Sequence, residues 1–242
     1  MKSYQNYIFD LYGTLIDIHT DEYSKNFFKA YTKWLRKQGF YFSWREFWTT
    51  YTRIEKQYRS EPSVHSKQEI DITSVFADVF WTKGYLLDEE QIAVLAQSFR
   101  WISLYYLKLF SDTLPCLEGL KKAGKKVYLL SNAQRAFTWK ELELTGILPF
   151  FDGVLISSDE GCMKPDPDFY QILCDRYQLD KSECVMIGNE LRSDVMGANA
   201  AGIDSFYIKR YAKSEDTSMC TYVSKDGSLM EVLLQTGVKC AK

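Results

Sequence analysis

Tyr7-Ile8-Phe9-Asp10-Leu11-Tyr12-Gly13-Thr14-Leu15 is the stretch that decides the fold. An apolar run without alternation meets an acid, and a glycine follows within a turn. A short continuous apolar run reads as a strand buried on both faces, which is the habit of a parallel sheet. The pattern recurs along the chain. Val127-Tyr128-Leu129-Leu130 meets Ser131-Asn132, Gly153-Val154-Leu155-Ile156 meets Ser157-Ser158, and Val185-Met186-Ile187 meets Gly188-Asn189. Ser205-Phe206-Tyr207-Ile208 is a fifth run. Helical segments are predicted between them: Leu117 to Ala123, closed by Gly124; Pro167 to about Tyr177, capped by Asp166; and Asp194 to Ala201, ended by Gly202. Strand and helix in alternation predict an α/β fold built on a doubly wound parallel sheet.

Residues 18–108 break that rhythm. Glu22 to Lys37 carries Tyr23, Phe27, Phe28, Tyr31, Trp34 and Leu35 as a helical stripe ended by Gly39. Ser43 and Glu46 form a capping-box pair for a second helix. Lys67 to Lys83 and Asp88 to Leu107 read as a third and fourth, enough for a small bundle. The expected organisation is therefore a core of residues 1–17 and 109–242, with a helical insertion at 18–108. Thr221 to Val223 and Gly227 to Gln235 read as a last strand and a last helix.

The 242 residues carry a formal charge of −2, and 46% of them are hydrophobic. Such a chain buries a sizeable core without staples. Near-neutral charge excludes the basic face that nucleic-acid or membrane-surface binding needs. No stretch has the ~18 apolar residues of a membrane span, and the first residues do not read as a signal peptide. Cys116, Cys162, Cys174, Cys184, Cys220 and Cys240 show no CxxC spacing, so reduced structural thiols in a cytoplasmic protein are expected.

In an open parallel sheet, ligands sit beyond the carboxyl ends of the strands. Asp10, Ser131-Asn132 and Gly188-Asn189 are expected there, with Lys164 in the loop before the helix at Pro167. A carboxylate, a hydroxyl, amides and an ammonium on one rim form a reactive set. Phe9 to Leu15, Leu130-Ser131-Asn132, Lys164-Pro165, and Ile187-Gly188-Asn189 with Asp194 resemble, in order and spacing, the four motifs of the haloacid dehalogenase superfamily of hydrolases. The block between Asp17 and Leu109 resembles that family's helical cap.

The resemblance implies roles. Asp10 is the nucleophile, which needs no activating base. Thr14 steadies the turn and donates to Asp10 or substrate. Ser131 and Asn132 hold the transferring group, and Lys164 neutralises charge. In the phosphatase branch Mg²⁺ binds the nucleophile, the carbonyl two residues on and an acid of the fourth motif, here Asp10, Tyr12, Asn189 and Asp194, with Glu190 beside them. Two departures stand out. Tyr12 occupies the place of an aspartate that protonates the leaving group, and Asn189 that of a metal-binding aspartate. The leading expectation is a Mg²⁺-dependent phosphatase for a small phosphorylated metabolite. The alternatives are a metal-independent 2-haloacid dehalogenase, with Arg53 receiving the halide, and a non-catalytic binding module. Tyr12 and the run from Lys164 to Tyr170 resemble the dehalogenases.

Plainer roles stand beside these. Asp194 is a candidate N-cap for a helix beginning at Val195, and Tyr170 a packing residue. His19 and His65 read as surface groups. Trp34, Trp44, Trp48, Trp81 and Trp101 read as bundle core.

Overall fold

The structure is a computed structural model that describes residues 2–211 and 216–238. Cys240 lies outside the described residues. The chain opens with strand β1 (Asn6–Phe9) and β2 (Ile16–Thr20). Helices α1 (Lys25–Lys37), α2 (Trp44–Arg59), α3 (Ile72–Trp81) and α4 (Glu89–Ser103) follow, then β3 (Leu104–Leu109). Next come α5 (Thr113–Lys122), β4 (Lys126–Ser131), α6 (Arg135–Thr145), β5 (Gly153–Ile156) and α7 (Ser157–Glu160). Helix α8 (Pro167–Tyr177) leads to β6 (Cys184–Gly188), a π-helical turn (Leu191–Met196) and α9 (Gly197–Ala200). The order closes with β7 (Asp204–Tyr207), β8 (Tyr222–Val223) and α10 (Met230–Gln235).

The sheet runs β5-β4-β1-β6-β7-β8, and every pairing in it is parallel. This is the α/β architecture expected from the apolar runs. Strand alternation divides the core between two layers. Tyr7, Phe9, Leu129 and Ile187 face α5 and α10, where Leu117, Leu120, Val232 and Leu233 cover them. Ile8, Leu130 and Met186 face the opposite way, onto Phe169, Tyr170 and Leu173 of α8. Cys162, Cys174 and Cys184 are buried thiols on that second side. The β1–β4 and β1–β6 pairings put the carboxyl ends of the three central strands side by side.

Helices α1–α4 pack on a separate cluster that includes Phe28, Tyr31, Phe47, Tyr51, Phe76 and Phe99. The α2 capping box at Ser43 and Glu46 is present as read. Other expectations change. Trp34 and Trp44 pack against this cluster as read, whereas Trp48 and Trp81 are exposed, at 42% and 61%. Residues 104–109 form a strand, not the end of a helix, because β2 offers an antiparallel partner far off in sequence. Residues 67–71 precede α3 as an extended segment. Gln68 bridges to Cys162, the Glu69 N–H donates to the Gly161 carbonyl at 3.0 Å, and the Met163 N–H donates to the Lys67 carbonyl at 3.0 Å. Backbone pairing with a neighbour overrides local helix preference there.

Candidate active site

Asp10 leaves β1 with its N–H bonded to the Ile187 carbonyl at 2.9 Å. That bond extends the parallel ladder one step past the strand and aims the side chain over the sheet edge. Gly13 then turns the chain at φ +80°. A Cβ there would come within 2.4 Å of the Asn189 amide, so glycine is needed for space as well as for conformation.

Lys164 is the hub. Its Nζ donates to Asp10 Oδ1 at 2.8 Å and to Asp194 Oδ1 at 2.7 Å. Only 3% of Lys164 is exposed. Asn132 braces it from behind: its side-chain Oδ1 accepts from the Lys164 N–H at 2.8 Å, and its Nδ2 donates to the Lys164 carbonyl at 2.9 Å. Asn132 therefore positions the lysine. The other Asp194 oxygen, Oδ2, accepts from the Glu190 N–H at 2.9 Å. Gly188 makes room for this carboxyl, since a Cβ would stand 2.2 Å from it.

Asp194 is not the N-cap expected at Val195. It lies inside the π-helical turn, which starts three residues earlier than the predicted helix. Tyr170 packs behind that turn and donates to the Ser193 carbonyl at 2.7 Å, so its part is structural, as read.

Burial sets the electrostatics. It pushes the Asp10 carboxyl up; Lys164 works against this and Asp194 adds to it, leaving the group at about 6. Burial opposes the Lys164 charge too, but Asp10 and Asp194 outweigh it and raise its pKa. A lysine flanked by two carboxylates stays charged and keeps both in place.

Thr14 Oγ1 donates to Asp10 Oδ2 at 3.2 Å. Ser131 is buried at the end of β4, and its Oγ has no hydrogen-bond partner among the described residues. A buried hydroxyl without a partner is costly unless a ligand supplies one. A cleft of about 190 Å³ lies against Asp10, Tyr12, Asn132, Lys164, Asn189 and Ser193.

The phenol of Tyr12 turns away from Asp10. It donates to Glu141 Oε2 at 2.5 Å and meets Thr138 Oγ1 at 2.9 Å. Burial, then the Glu141 charge, push its pKa above the ordinary tyrosine value. Arg100 of α4 lies over the Tyr12 ring, 5.6 Å from its centroid, and donates to Glu141 Oε1 at 2.7 Å and to Glu22. Neither Arg100 nor Glu141 carried a sequence signal; each is one of several charges on an ordinary helix. Arg53 is exposed on α2 and is not among the residues around the cleft.

Of the residues expected to hold Mg²⁺, three converge. One end of the Asn189 amide lies 3.3 Å from Asp10 Oδ2, 3.2 Å from the Tyr12 carbonyl and 3.0 Å from Thr14 Oγ1. Asp194 lines the same cleft, but its oxygens are taken by Lys164 and the Glu190 N–H. His19 is exposed beside Tyr105 and Tyr106, as a surface group should be. His65 bonds Asp168 at 3.2 Å near Asp166. Asp166 is committed there as a cap, accepting from Ser66 Oγ and from the Lys67 and Asp168 N–H groups.

A carboxylate at a strand end, paired to a buried lysine on the wall of a cleft, is an arrangement that hydrolytic chemistry can use. The sequence profile of the haloacid dehalogenase-like hydrolases matches residues 4–202, and the chain belongs to that family.

Relatives of several activities resemble it. A glyceraldehyde 3-phosphate phosphatase of Methanopyrus kandleri is 33% identical over 43% of this chain and 45% of its own length. The pyrimidine 5'-nucleotidase PynA of Streptococcus pneumoniae is 28% identical over 65% of each chain. The chain thus spans about half to two thirds of these relatives. An (S)-2-haloacid dehalogenase 4A of Burkholderia cepacia is 25% identical over 93% of this chain and 91% of its own. A 2-haloacid dehalogenase of Pseudomonas syringae shares the fold with a TM-score of 0.65, at 21% identity over 97% and 99% of the two chains. A phosphatase of Thermococcus onnurineus does so at 0.62, with 23% identity over the whole of both. Among the described residues no helix is long and apolar enough to cross a membrane.

Proposed function

We propose that the protein hydrolyses small anionic substrates whose leaving group departs without a proton, in the manner of a 2-haloacid dehalogenase. The position of the Tyr12 phenol carries this reading. It is tied to Glu141 and Thr138, so the place of the family's proton donor holds no acid for an alkoxide. A halide needs none. Of the curated relatives above, the one matched over nearly its full length is named a haloacid dehalogenase, which supports the same reading.

The chemistry proceeds in two displacements. An Asp10 oxygen attacks C2 of a 2-haloacid; the new C–O bond forms as the carbon–halogen bond breaks and halide leaves with the electron pair. Water then attacks the carboxyl carbon of Asp10. The ester opens, the 2-hydroxy acid departs, Asp10 is restored, and one proton is released. Lys164 and Thr14 hold Asp10 for the attack. The Ser131 hydroxyl takes an oxygen of the substrate carboxylate. Helices α1–α4 serve as the cap that keeps bulk water out.

The expected divalent ion does not fit this set. Mg²⁺ takes oxygen ligands, whereas the end of the Asn189 amide at Asp10 and the Tyr12 carbonyl suits its nitrogen, and the Asp194 oxygens are bonded to Lys164 and the Glu190 N–H. The second reading, a phosphatase for a small phosphorylated metabolite, is favoured by the orphaned Ser131 hydroxyl, which also suits a phosphoryl oxygen, and by the relatives named as phosphatases.

Two assays separate the readings, each run with and without EDTA. Chloride release from 2-chloropropionate that survives EDTA is expected. Phosphate release from p-nitrophenyl phosphate that EDTA abolishes, with no halide release, overturns the proposal.

A further inference from the structure

We infer that the side-chain amide of Asn189 takes over the work of a divalent cation at this site. Its hydrogens, rather than a metal, bind Asp10 to the turn that follows it.

The first ground is hydrogen-bond chemistry. Neither the Asp10 carboxylate nor the Tyr12 carbonyl has a hydrogen to give. An amide oxygen 3.3 Å and 3.2 Å from them would be repelled by both. Its neighbours therefore assign the nitrogen to that end. One N–H then donates to Thr14 Oγ1 at 3.0 Å, and the other is shared between Asp10 Oδ2 and the Tyr12 carbonyl. The bond to the carboxylate is charge-assisted and among the stronger kinds.

The second ground is the space around it. Gly13 approaches so closely that a Cβ would stand 2.4 Å from the amide, so the turn after the nucleophile is shaped against this side chain. Asn189 is thereby clamped between the turn and the end of β6.

The third ground is charge. Asp10 and Asp194 against Lys164 leave a single net negative charge in the buried set. Aspartates in place of Tyr12 and Asn189 would add two more, and a dication would be needed to restore the same balance. The two neutral residues that depart from the family motifs thus compensate together for the loss of one Mg²⁺. Either departure alone would leave the balance wrong.

This assignment holds whichever substrate the enzyme takes, and its test needs no substrate. The intact protein is titrated with MgCl₂ in a calorimeter, and its melting temperature is followed with added MgCl₂ or EDTA. The wild-type protein is expected to show no saturable heat and no shift in melting temperature with either. Asn189→Asp places a carboxylate against Asp10 Oδ2 and the Tyr12 carbonyl. It should melt below the wild type in EDTA and regain stability on adding Mg²⁺, because ligand binding to the folded state raises the midpoint. Asn189→Ala should neither lose nor gain a response.

Saturable Mg²⁺ binding by the wild type that Asn189→Ala abolishes would overturn the inference, since the amide would then be an oxygen ligand. A folded Asn189→Asp protein with no Mg²⁺-dependent shift would overturn it as well. If Asn189→Asp does not fold, the wild-type titration alone decides. A protein that passes this test yet releases no halide sinks the substrate proposal and leaves the amide assignment standing.

Discussion

Asp194→Asn removes a charge without removing a shape, and its effect on the nucleophile follows from the geometry. Asp10 and Asp194 each place an oxygen on Lys164 Nζ, at 2.8 Å and 2.7 Å. The two oxygens therefore lie within about 5.5 Å of each other. At an effective dielectric of ~20, like charges at that separation repel by roughly 3 kcal/mol, about 2 pK units. Asp194 is one of the influences raising Asp10 to about 6.

Deleting it lets Lys164 serve Asp10 alone, so the carboxyl should fall by as much as ~2 units. Asp10 attacks only as the carboxylate, so turnover rises with pH through its pKa, and a lower pKa moves that rising limb to lower pH. The assay is kcat/KM for halide release against pH, wild type beside variant, with thermal melts at each pH to confirm folding. The variant should melt lower, because an amide N–H₂ must face either Lys164 or the Glu190 N–H, at a cost of about 1–3 kcal/mol. A rising limb that stays near pH 6 in the variant, or moves up, refutes the coupling described for these three groups.

Three further outcomes follow from other contacts. Ser131→Ala deletes a hydroxyl that has no hydrogen-bond partner among the described residues, so activity should fall by about 10²-fold or more while urea denaturation barely changes; equal losses in both would place the hydroxyl in the fold instead. Arg100→Met leaves Glu141, which is 0% exposed, without its cation, and should cost about 3–5 kcal/mol in urea unfolding; under 1 kcal/mol would show that the pair with Glu22 and Glu141 carries little. Lys67 and Arg192 have no ion-pair partner among the described residues and border a second cleft of about 230 Å³ that shares Asn132 and Lys164 with the first. Replacing both by alanine should raise KM for anionic substrates and leave kcat nearly unchanged, whereas a loss confined to kcat would contradict a role in capture.

The sheet was legible because each apolar run is its own signal. Burial on both faces forces Tyr7-Ile8-Phe9, Val127 to Leu130 and Val185 to Ile187 to be apolar throughout, and no partner need be known to read that. The chemistry at their ends was legible for a related reason: a parallel sheet puts its carboxyl ends on one side, so Asp10, Ser131 and Asn189 had to meet. That Lys164 and Asn132 lie at this cleft was legible through the motifs. That Asn132 braces the lysine backbone was not, since nothing in Leu130-Ser131-Asn132 tells which way an amide points. The β2–β3 ribbon was missed because each strand depends on a partner distant in the chain.

What the sequence determined by itself is the scaffold and the family, because these rest on residue type and local pattern. What only the tertiary structure decided is how the two departures behave. Tyr12 could have faced the substrate, and it is the meeting of Arg100, Thr138 and Glu141 from two other helices that turns its hydroxyl away. Asn189 reads equally well as a metal ligand or as a hydrogen-bond donor. The choice falls to three oxygens from a different strand and turn, which have no hydrogen of their own for its oxygen, or one at most, and are satisfied by its nitrogen. Amide orientation and electrostatic balance are sums over neighbours brought together by folding, and no stretch of chain contains them.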